Sequence, residues 1–172
     1  MQTVAILVRL KIPDVTALTA ANALRRSMGY SQLKELKRAD YYRLDLAVDT
    51  QEQALALAEE LAEKTNLFVN PNKHVYELST KREESAPAEG KVAHVLVTDP
   101  NDGSAQGMLA ALKGRLGYGD KVAGVTKGLL WTMVFDVTDE AEAKRLASEM
   151  AETKSLDKGL LVNPHFQEFE VW

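Results

Sequence analysis

The chain has 172 residues, 45% of them hydrophobic and 27% charged, with a formal net charge of −4 and a pI near 5.5. That composition is ordinary for a soluble globular protein, and it lacks the basic excess that a nucleic-acid backbone requires. No cysteine is present, which excludes disulfides, thiol catalysis and thiolate metal sites.

The chain opens on an alternation. Val4, Ile6, Val8, Leu10 and Ile12 take every second position, the period of a strand with one buried face. Arg9 and Lys11 interrupt this apolar stretch, so it does not read as a signal peptide. No run approaches the roughly 20 apolar residues of a membrane span, and a cytoplasmic location is expected. Pro13-Asp14 ends the strand, with Asp14 as N-cap of a helix. Val15, Leu18, Ala21, Leu24 and Met28 form the helix's apolar stripe, and Gly29 stops it. Leu33 to Lys37 reads as a second strand. Tyr42, Leu44, Leu46 and Val48 mark a third. Thr50 to Gln53 is a capping box before a helix whose apolar face is Ala54, Leu57, Ala58 and Leu61. A turn at Asn70-Pro71-Asn72 leads into a last strand, Val75 to Leu78.

Residues 79–91 are polar, with Lys81, Arg82, Glu83, Glu84, Pro87 and Gly90, and read as an exposed, mobile linker. The same order of elements then recurs. Val92 to Thr98 is a strand, and Asp99 to Gly103 turns into a helix bearing Met108, Ala111, Leu112 and Leu116. Lys121 to Thr126 and Leu129 to Val137 read as two further strands. Asp139 to Glu142 is a second capping box, before a helix carrying Leu146 and Met150. Extra residues lie at Ser155 to Leu161, and Phe166 to Val171 is the final strand.

The recurrence is literal. Ala23-Leu24 to Gly29-Tyr30 reappears 88 residues on as Ala111-Leu112 to Gly117-Tyr118. Leu57 to Glu63 reappears 89 on as Leu146 to Glu152, and Val69-Asn70-Pro71 reappears 93 on as Val162-Asn163-Pro164. We therefore read repeat 1 as residues 1–78 and repeat 2 as 92–172, each a β-α-β-β-α-β unit of ferredoxin-like type. The expected class is α+β, with antiparallel sheets, helices on one face, and the repeats packed as a pseudo-dimer. Tyr41, Ala47, Leu130 and Val134 are apolar at outward strand positions, which suggests sheet faces covered by each other or by a partner.

Chemistry is sparse. His94 is expected to be packed in a strand, and His74 and His165 occupy different positions of the two Asn-Pro turns, so no shared catalytic or metal role follows. No nucleophile elbow, phosphate loop or dinucleotide motif occurs. Asp102-Gly103-Ser104 reads as a cap and tight turn, the alternative being an anion-binding helix terminus. Tyr41, Tyr42 and Trp131 are expected to serve a core or an interface, not base stacking.

These residues resemble the PurS family, the small subunit of phosphoribosylformylglycinamidine synthase. The likeness rests on both Ala-Leu to Gly-Tyr helix ends, the Asp99-Pro100-Asn101-Asp102-Gly103 turn, Lys127-Gly128, and the two Asn-Pro turns with Glu-rich final strands. Repeat 1 departs from it, with Ile12-Pro13-Asp14 in place of the turn and Arg38-Ala39-Asp40 in place of the Gly-Lys pair. The resemblance implies a non-catalytic subunit of purine biosynthesis bridging PurL-type synthetase and PurQ-type glutaminase subunits, with possible self-association. ATP, Mg and glutamine would be used by those partners and no cofactor bound by this chain. Asp99, Asn101, Asp102, Gly103, Lys127, Gly128, Tyr41 and Trp131 are the candidate interface and turn residues. Two other classes are set beside this. One is a ligand-sensing regulatory module of paired ferredoxin-like domains, with the Asp99 to Gly103 turn holding an amino acid or anion. The other is an enzyme at the junction of the halves, for which no residue pair converges.

Overall fold

The computed structural model describes residues 1–81, 89–152 and 160–172. Most of the expected linker and of the extra stretch in repeat 2 therefore lies outside the described residues. In chain order the elements are β1 (Gln2–Leu10), α1 (Val15–Asn22) with a wide π turn at Ala23–Ser27, β2 (Leu33–Leu46), α2 (Gln51–Lys64) and β3 (His74–Ser79). Repeat 2 gives β4 (Lys91–Thr98), α3 (Ser104–Lys113), β5 (Val122–Phe135), α4 (Glu140–Ala151) and β6 (Glu168–Val171). The strand order is β3-β1-β2-β5-β4-β6, and the registers of β1 with β2 and β3, and of β4 with β5 and β6, are antiparallel.

This corrects one expectation. The pairs of middle strands expected in each repeat are single strands of 14 residues, so each repeat runs β-α-β-α-β. A two-residue hairpin needs backbone with φ > 0, commonly Asn-Gly. Arg38-Ala39-Asp40 has no glycine to take it; Gly128 is permissive of it, yet neither segment contains a residue at positive φ and both strands continue. The apparent break in β2 arises because Leu33, Leu36 and Ala39 are buried at every third position, against a period of two from Tyr42 onward.

The chain forms two compact units whose bounds differ from those of the repeats. Unit 1 is Met1–Ile12, Asp40–Glu84 and Asp102–Gly128; unit 2 is Pro13–Ala39, Ser85–Asn101 and Leu129–Trp172. Strands β2 and β5 each pass from one unit to the other, at Ala39/Asp40 and Gly128/Leu129. Unit 1 accordingly contains β1, the second half of β2, α2 and β3, completed by α3 and the first half of β5. Unit 2 contains β4, the second half of β5, α4 and β6, completed by α1 and the first half of β2. Each unit thus has the strand and helix inventory of a ferredoxin-like body, with one helix and one half-strand supplied by the other repeat.

The cores follow this division. In unit 1, Val4, Ile6, Val8, Tyr42, Leu44 and Leu46 from the sheet meet Leu57, Ala58 and Leu61 of α2, and Leu112 of α3 is fully buried among them. In unit 2, Ala93, Val95, Trp131, Met133 and Phe135 meet Leu146, Ala147 and Met150 of α4, together with Ala17, Ala21 and Leu24 from α1 and its π turn. The small Ala17 and Ala21 let α1 lie close to the sheet. The buried stripe is therefore turned from the one expected, leaving Val15 and Leu18 on the surface at 70% and 59% exposure. Gly29 and Gly117 stop their helices at φ 77°, and the following Tyr30 and Tyr118 N–H groups donate to Leu24 and Leu112 carbonyls at 3.0 and 2.8 Å. Thr50 and Gln53 form the expected capping box. Asp139 caps α4 without one, since Glu142 turns to Arg145 at 2.8 Å.

Equivalent backbone bonds mark the passage of β2 and β5 through each unit. The Ala47 N–H donates to Lys121 O at 2.8 Å in unit 1, and the Asp136 N–H donates to Gln32 O at 2.8 Å in unit 2. Because Leu112 and the first half of β5 belong to the core of unit 1, residues 1–81 alone should not form a stable folded monomer. Sedimentation together with circular dichroism checks this: the fragment should be unfolded when dilute and should fold only as it pairs. A folded monomer would contradict the exchange.

Candidate functional site

Two constellations are repeated at equivalent positions, one of each kind per unit. The first joins a helix N-terminus to a strand. In unit 2, Asp14 accepts from the N–H groups of Thr16 and Ala17 at 3.0 and 3.2 Å. Its carboxylate also accepts a two-point contact from Arg38, Nε to Oδ2 at 2.9 Å and Nη2 to Oδ1 at 3.1 Å. The planar guanidinium suits this forked geometry and lies 6.0 Å from the Trp131 ring centroid. In unit 1, Asp102 accepts from the Ser104 N–H and hydroxyl, both at 2.8 Å. Lys127 Nζ donates to Ser104 Oγ at 3.1 Å and lies 3.6 Å from Asp102 Oδ2. The Ser104 backbone N–H first, then its hydroxyl and Lys127, hold the Asp102 carboxyl below its ordinary range.

The second constellation joins helix ends. In unit 2 the Tyr30 hydroxyl, just past the glycine stop of repeat 1, donates to Glu149 Oε1 on α4 at 3.1 Å. Arg145 holds the other oxygen of Glu149 at 3.1 Å. In unit 1 the Tyr118 hydroxyl of repeat 2 donates to Glu60 Oε1 on α2 at 3.0 Å, with Lys64 at 3.6 Å. The Tyr118 bond is the main cause that lowers the Glu60 carboxyl, and Lys64 adds to it. Burial, then the Glu60 contact, raises the Tyr118 phenol. In each bond the tyrosine belongs to one repeat and the carboxylate to the other.

The remaining candidates take separate positions. Asp99 Oδ1 accepts from the Asn101 N–H at 2.8 Å, a local turn in unit 2. Gly103 is the N-cap of α3 with φ −68°, so it needs no glycine-specific conformation. Gly128 lies within β5 at the end of unit 1. Tyr41 is half-buried and pairs with Leu7 across β1 and β2. Trp131 is buried in the unit 2 core, its indole Nε1 without a hydrogen-bond partner, so it offers no outer face. His94 is 3% exposed, stacks on Trp172 at 5.5 Å and shares a 3.2 Å contact with Thr132 Oγ1, as a packed histidine. The structure thus brings Asp102, Ser104 and Lys127 together and leaves Tyr41 and Trp131 in their own surroundings. The two Tyr–Glu bonds and the Asp14–Arg38 pair escaped the sequence reading. The signal for them was present, since Glu60 and Glu149 stand 89 residues apart inside a recurring helix. Among the described residues no group of three or more His, Asp or Glu could hold a metal ion, and no helix is long and apolar enough to cross a membrane.

The Tyr–Glu bonds join elements of different repeats, and the two Asp–basic pairs each join a helix start to a strand of the same repeat. A family model described as "PurS: Phosphoribosylformylglycinamidine (FGAM) synthase" matches residues 2–82. No curated protein matches the chain. Residues 2–82 are thus a PurS-like region, covering nearly all of repeat 1 and running into the stretch after it, and such a region implies a part in FGAM synthase, a ligase of purine biosynthesis.

Replacing Asp14 separates its two roles. Asp14→Asn keeps the cap and loses the ion pair, and should cost no more than about 1 kcal/mol; Asp14→Ala loses both and should cost about 1–2 kcal/mol more. Urea unfolding midpoints measure the difference. The lowered Glu60 and Asp102 carboxyls favour the folded state when ionised, so their contribution is present above the ordinary carboxylate range. It is lost as pH falls through their lower folded values. Stability plotted against pH on the acid side should therefore be flatter for Glu60→Gln than for the parent chain.

Proposed function

We propose that the chain is a tandem PurS-type subunit, the fused counterpart of a pair of PurS-like chains, acting as a bridging component of FGAM synthase. In this reading residues 92–172 are a second PurS-like repeat, beyond the span of the family match. The observation that carries it is the paired Tyr30–Glu149 and Tyr118–Glu60 bonds. Repeat 2 reproduces, at equivalent positions, a contact that repeat 1 makes, with the roles of the repeats reversed. A second, unrelated domain would have no reason to carry the same tyrosine after the same glycine stop, or the same glutamate on the following helix.

The proposed role is positional. The chain binds an ATP-using PurL-type synthetase and a PurQ-type glutaminase in the cytoplasm and keeps them in register, so that ammonia released at one site is consumed at the other. It transforms no substrate and binds no cofactor of its own. A body whose units are each completed by the other repeat suits this task, because its two halves cannot separate without unfolding. The candidate surfaces for those contacts are the Asp99 to Gly103 turn with Lys127, and the strand flank carrying Tyr41.

Reconstitution tests the proposal. With purified synthetase and glutaminase from the same source, glutamine-dependent amidine formation should require this chain, while activity with free ammonia should persist in its absence. Glutamine-dependent turnover that is unchanged when the chain is omitted would reject the bridging role.

A further inference from the structure

Unit 1 contains a cavity of about 570 Å³ between the C-terminal turn of α2 and β3, lined by Lys11, Glu63, Val69, Pro71, His74 and Tyr76. Its volume is in the range of small-molecule sites, and Ala62 and Val75 complete an apolar wall. The polar groups around it are already oriented. Lys11 Nζ donates to Pro71 O at 2.5 Å, which fixes the ammonium at the rim and leaves two of its N–H groups for a ligand. The Asn70 N–H donates to His74 Nδ1 at 3.1 Å, so Nδ1 is the acceptor and the neutral ring carries its proton on Nε2. Tyr76 donates to Glu63 Oε1 at 3.0 Å, which holds that carboxylate against the cavity.

The cavity is therefore polarised. Lys11 and His74 supply donors at one side. Glu63 supplies a carboxylate at the other, in the last turn of α2, where the unpaired carbonyls of a helix C-terminus also favour positive charge. A simple anion would meet Glu63 unfavourably, and a simple cation would meet Lys11. A zwitterion matches both ends, and the apolar wall can take a side chain.

A bland account of His74 is that it only closes the Asn70 turn. Repeat 2 argues against that. There Gln167 Oε1 accepts the same bond from the Asn163 N–H at 2.8 Å, so the turn does not need an imidazole. The positions equivalent to Lys11, His74 and Tyr76 in repeat 2 are Pro100, Gln167 and Phe169, which provide neither the cation nor the ring donor. The cation and the ring donor belong to repeat 1 alone, while the carboxylate of Glu63 recurs as Glu152.

We propose that this cavity binds a free α-amino acid, its carboxylate at Lys11 and His74 and its ammonium at Glu63. The site goes beyond the bridging role and does not depend on it. Tyr76 is pushed up to about 12, chiefly by burial and then by Glu63, so its donation to Glu63 persists throughout the neutral range.

The test uses the full chain by itself, with side-chain NMR signals of His74 and Tyr76 as reporters. The proteinogenic L-amino acids are added one at a time at up to ~10 mM, above the weakest affinity such a site would need. At least one should shift both reporters saturably. Its deaminated acid and its decarboxylated amine should each bind at least about tenfold more weakly, as should the amino acid itself to Lys11→Met and Glu63→Gln. Lys11 and Glu63 are exposed, and Glu63→Gln retains an acceptor for Tyr76, so both variants keep the fold. Silence of both reporters with every amino acid would overturn the proposal. So would equal binding of the deaminated acid, or unchanged binding by both variants. Because no partner subunit is present, a failure here is separate from any failure of reconstitution.

Discussion

The structure depends on two strands that do not turn. A β-strand ends where the backbone takes a turn, and neither Arg38-Ala39-Asp40 nor Lys127-Gly128-Leu129 takes one, with no residue of either at positive φ. Strands β2 and β5 therefore continue for 14 residues each and deliver what is attached to them into the other compact unit. If the strands folded back as hairpins, α1 would cover the sheet of repeat 1 and α3 that of repeat 2. Running straight, they place Leu24 in the core of unit 2 and Leu112 in the core of unit 1. This is the logic of domain swapping, an element exchanged between like partners through an opened hinge, here written within one chain. A repeat of about 80 residues has little core of its own, and the exchange gives each unit a second helix from the other repeat.

Side-chain contacts accompany the exchange without being its main energy. The Tyr–Glu bonds and the Asp–basic pairs lie at or near the surface, where such contacts contribute modestly. Their value is in direction. Tyr30 follows a glycine stop at φ 77°, which sets the direction from which its hydroxyl meets Glu149 of the other repeat. The two copies also differ in an informative way. Arg38 grips Asp14 at two points beside an aromatic ring, while Lys127 shares a serine hydroxyl with Asp102 as a point charge. The same junction is made by different chemistry, as expected when two copies are free to drift but both must still hold a helix end.

Much of this was legible in the sequence, and the reasons for what was not are local. Helix caps and stops were visible because single residues make them: Asp14, Thr50 with Gln53, Gly29 and Gly117. The edge strands were visible through their alternation. The middle strands were misread as pairs because β2 is buried with a period of three over Leu33, Leu36 and Ala39, a spacing that pattern reading does not associate with a strand. The stripe of α1 was misassigned by weight of size. Val15 and Leu18 looked like core residues beside Ala17, yet the small residues are the ones that let the helix approach the sheet. The partnership of Tyr30 with Glu149 could not be read from spacing, because it crosses 119 residues and depends on which repeat completes which unit. The Asp99 to Gly103 turn and Lys127-Gly128 stood out as family-like motifs, but that Asp102 and Lys127 meet through Ser104 follows only from how α3 and β5 pack.

Duplication within one chain also changes what each position is free to do. In a symmetric pair of identical chains every residue acts twice, so a group useful in one half must be tolerated in the other. A tandem chain removes that constraint. Val15 and Leu18 on the surface of α1 have Gly103 and Gln106 as their counterparts 88 residues on, and Lys11 and His74 have Pro100 and Gln167. Meanwhile the positions that complete the other unit are retained on both sides: the glycine stops, the tyrosines after them, and the glutamates they reach. Residues at the exchange are held because each is needed to complete a core, whereas residues away from it have diverged. That pattern, with conserved joinery and differing outer faces, places any chemistry specific to one half away from the exchange, as at the Lys11, Glu63 and His74 cavity.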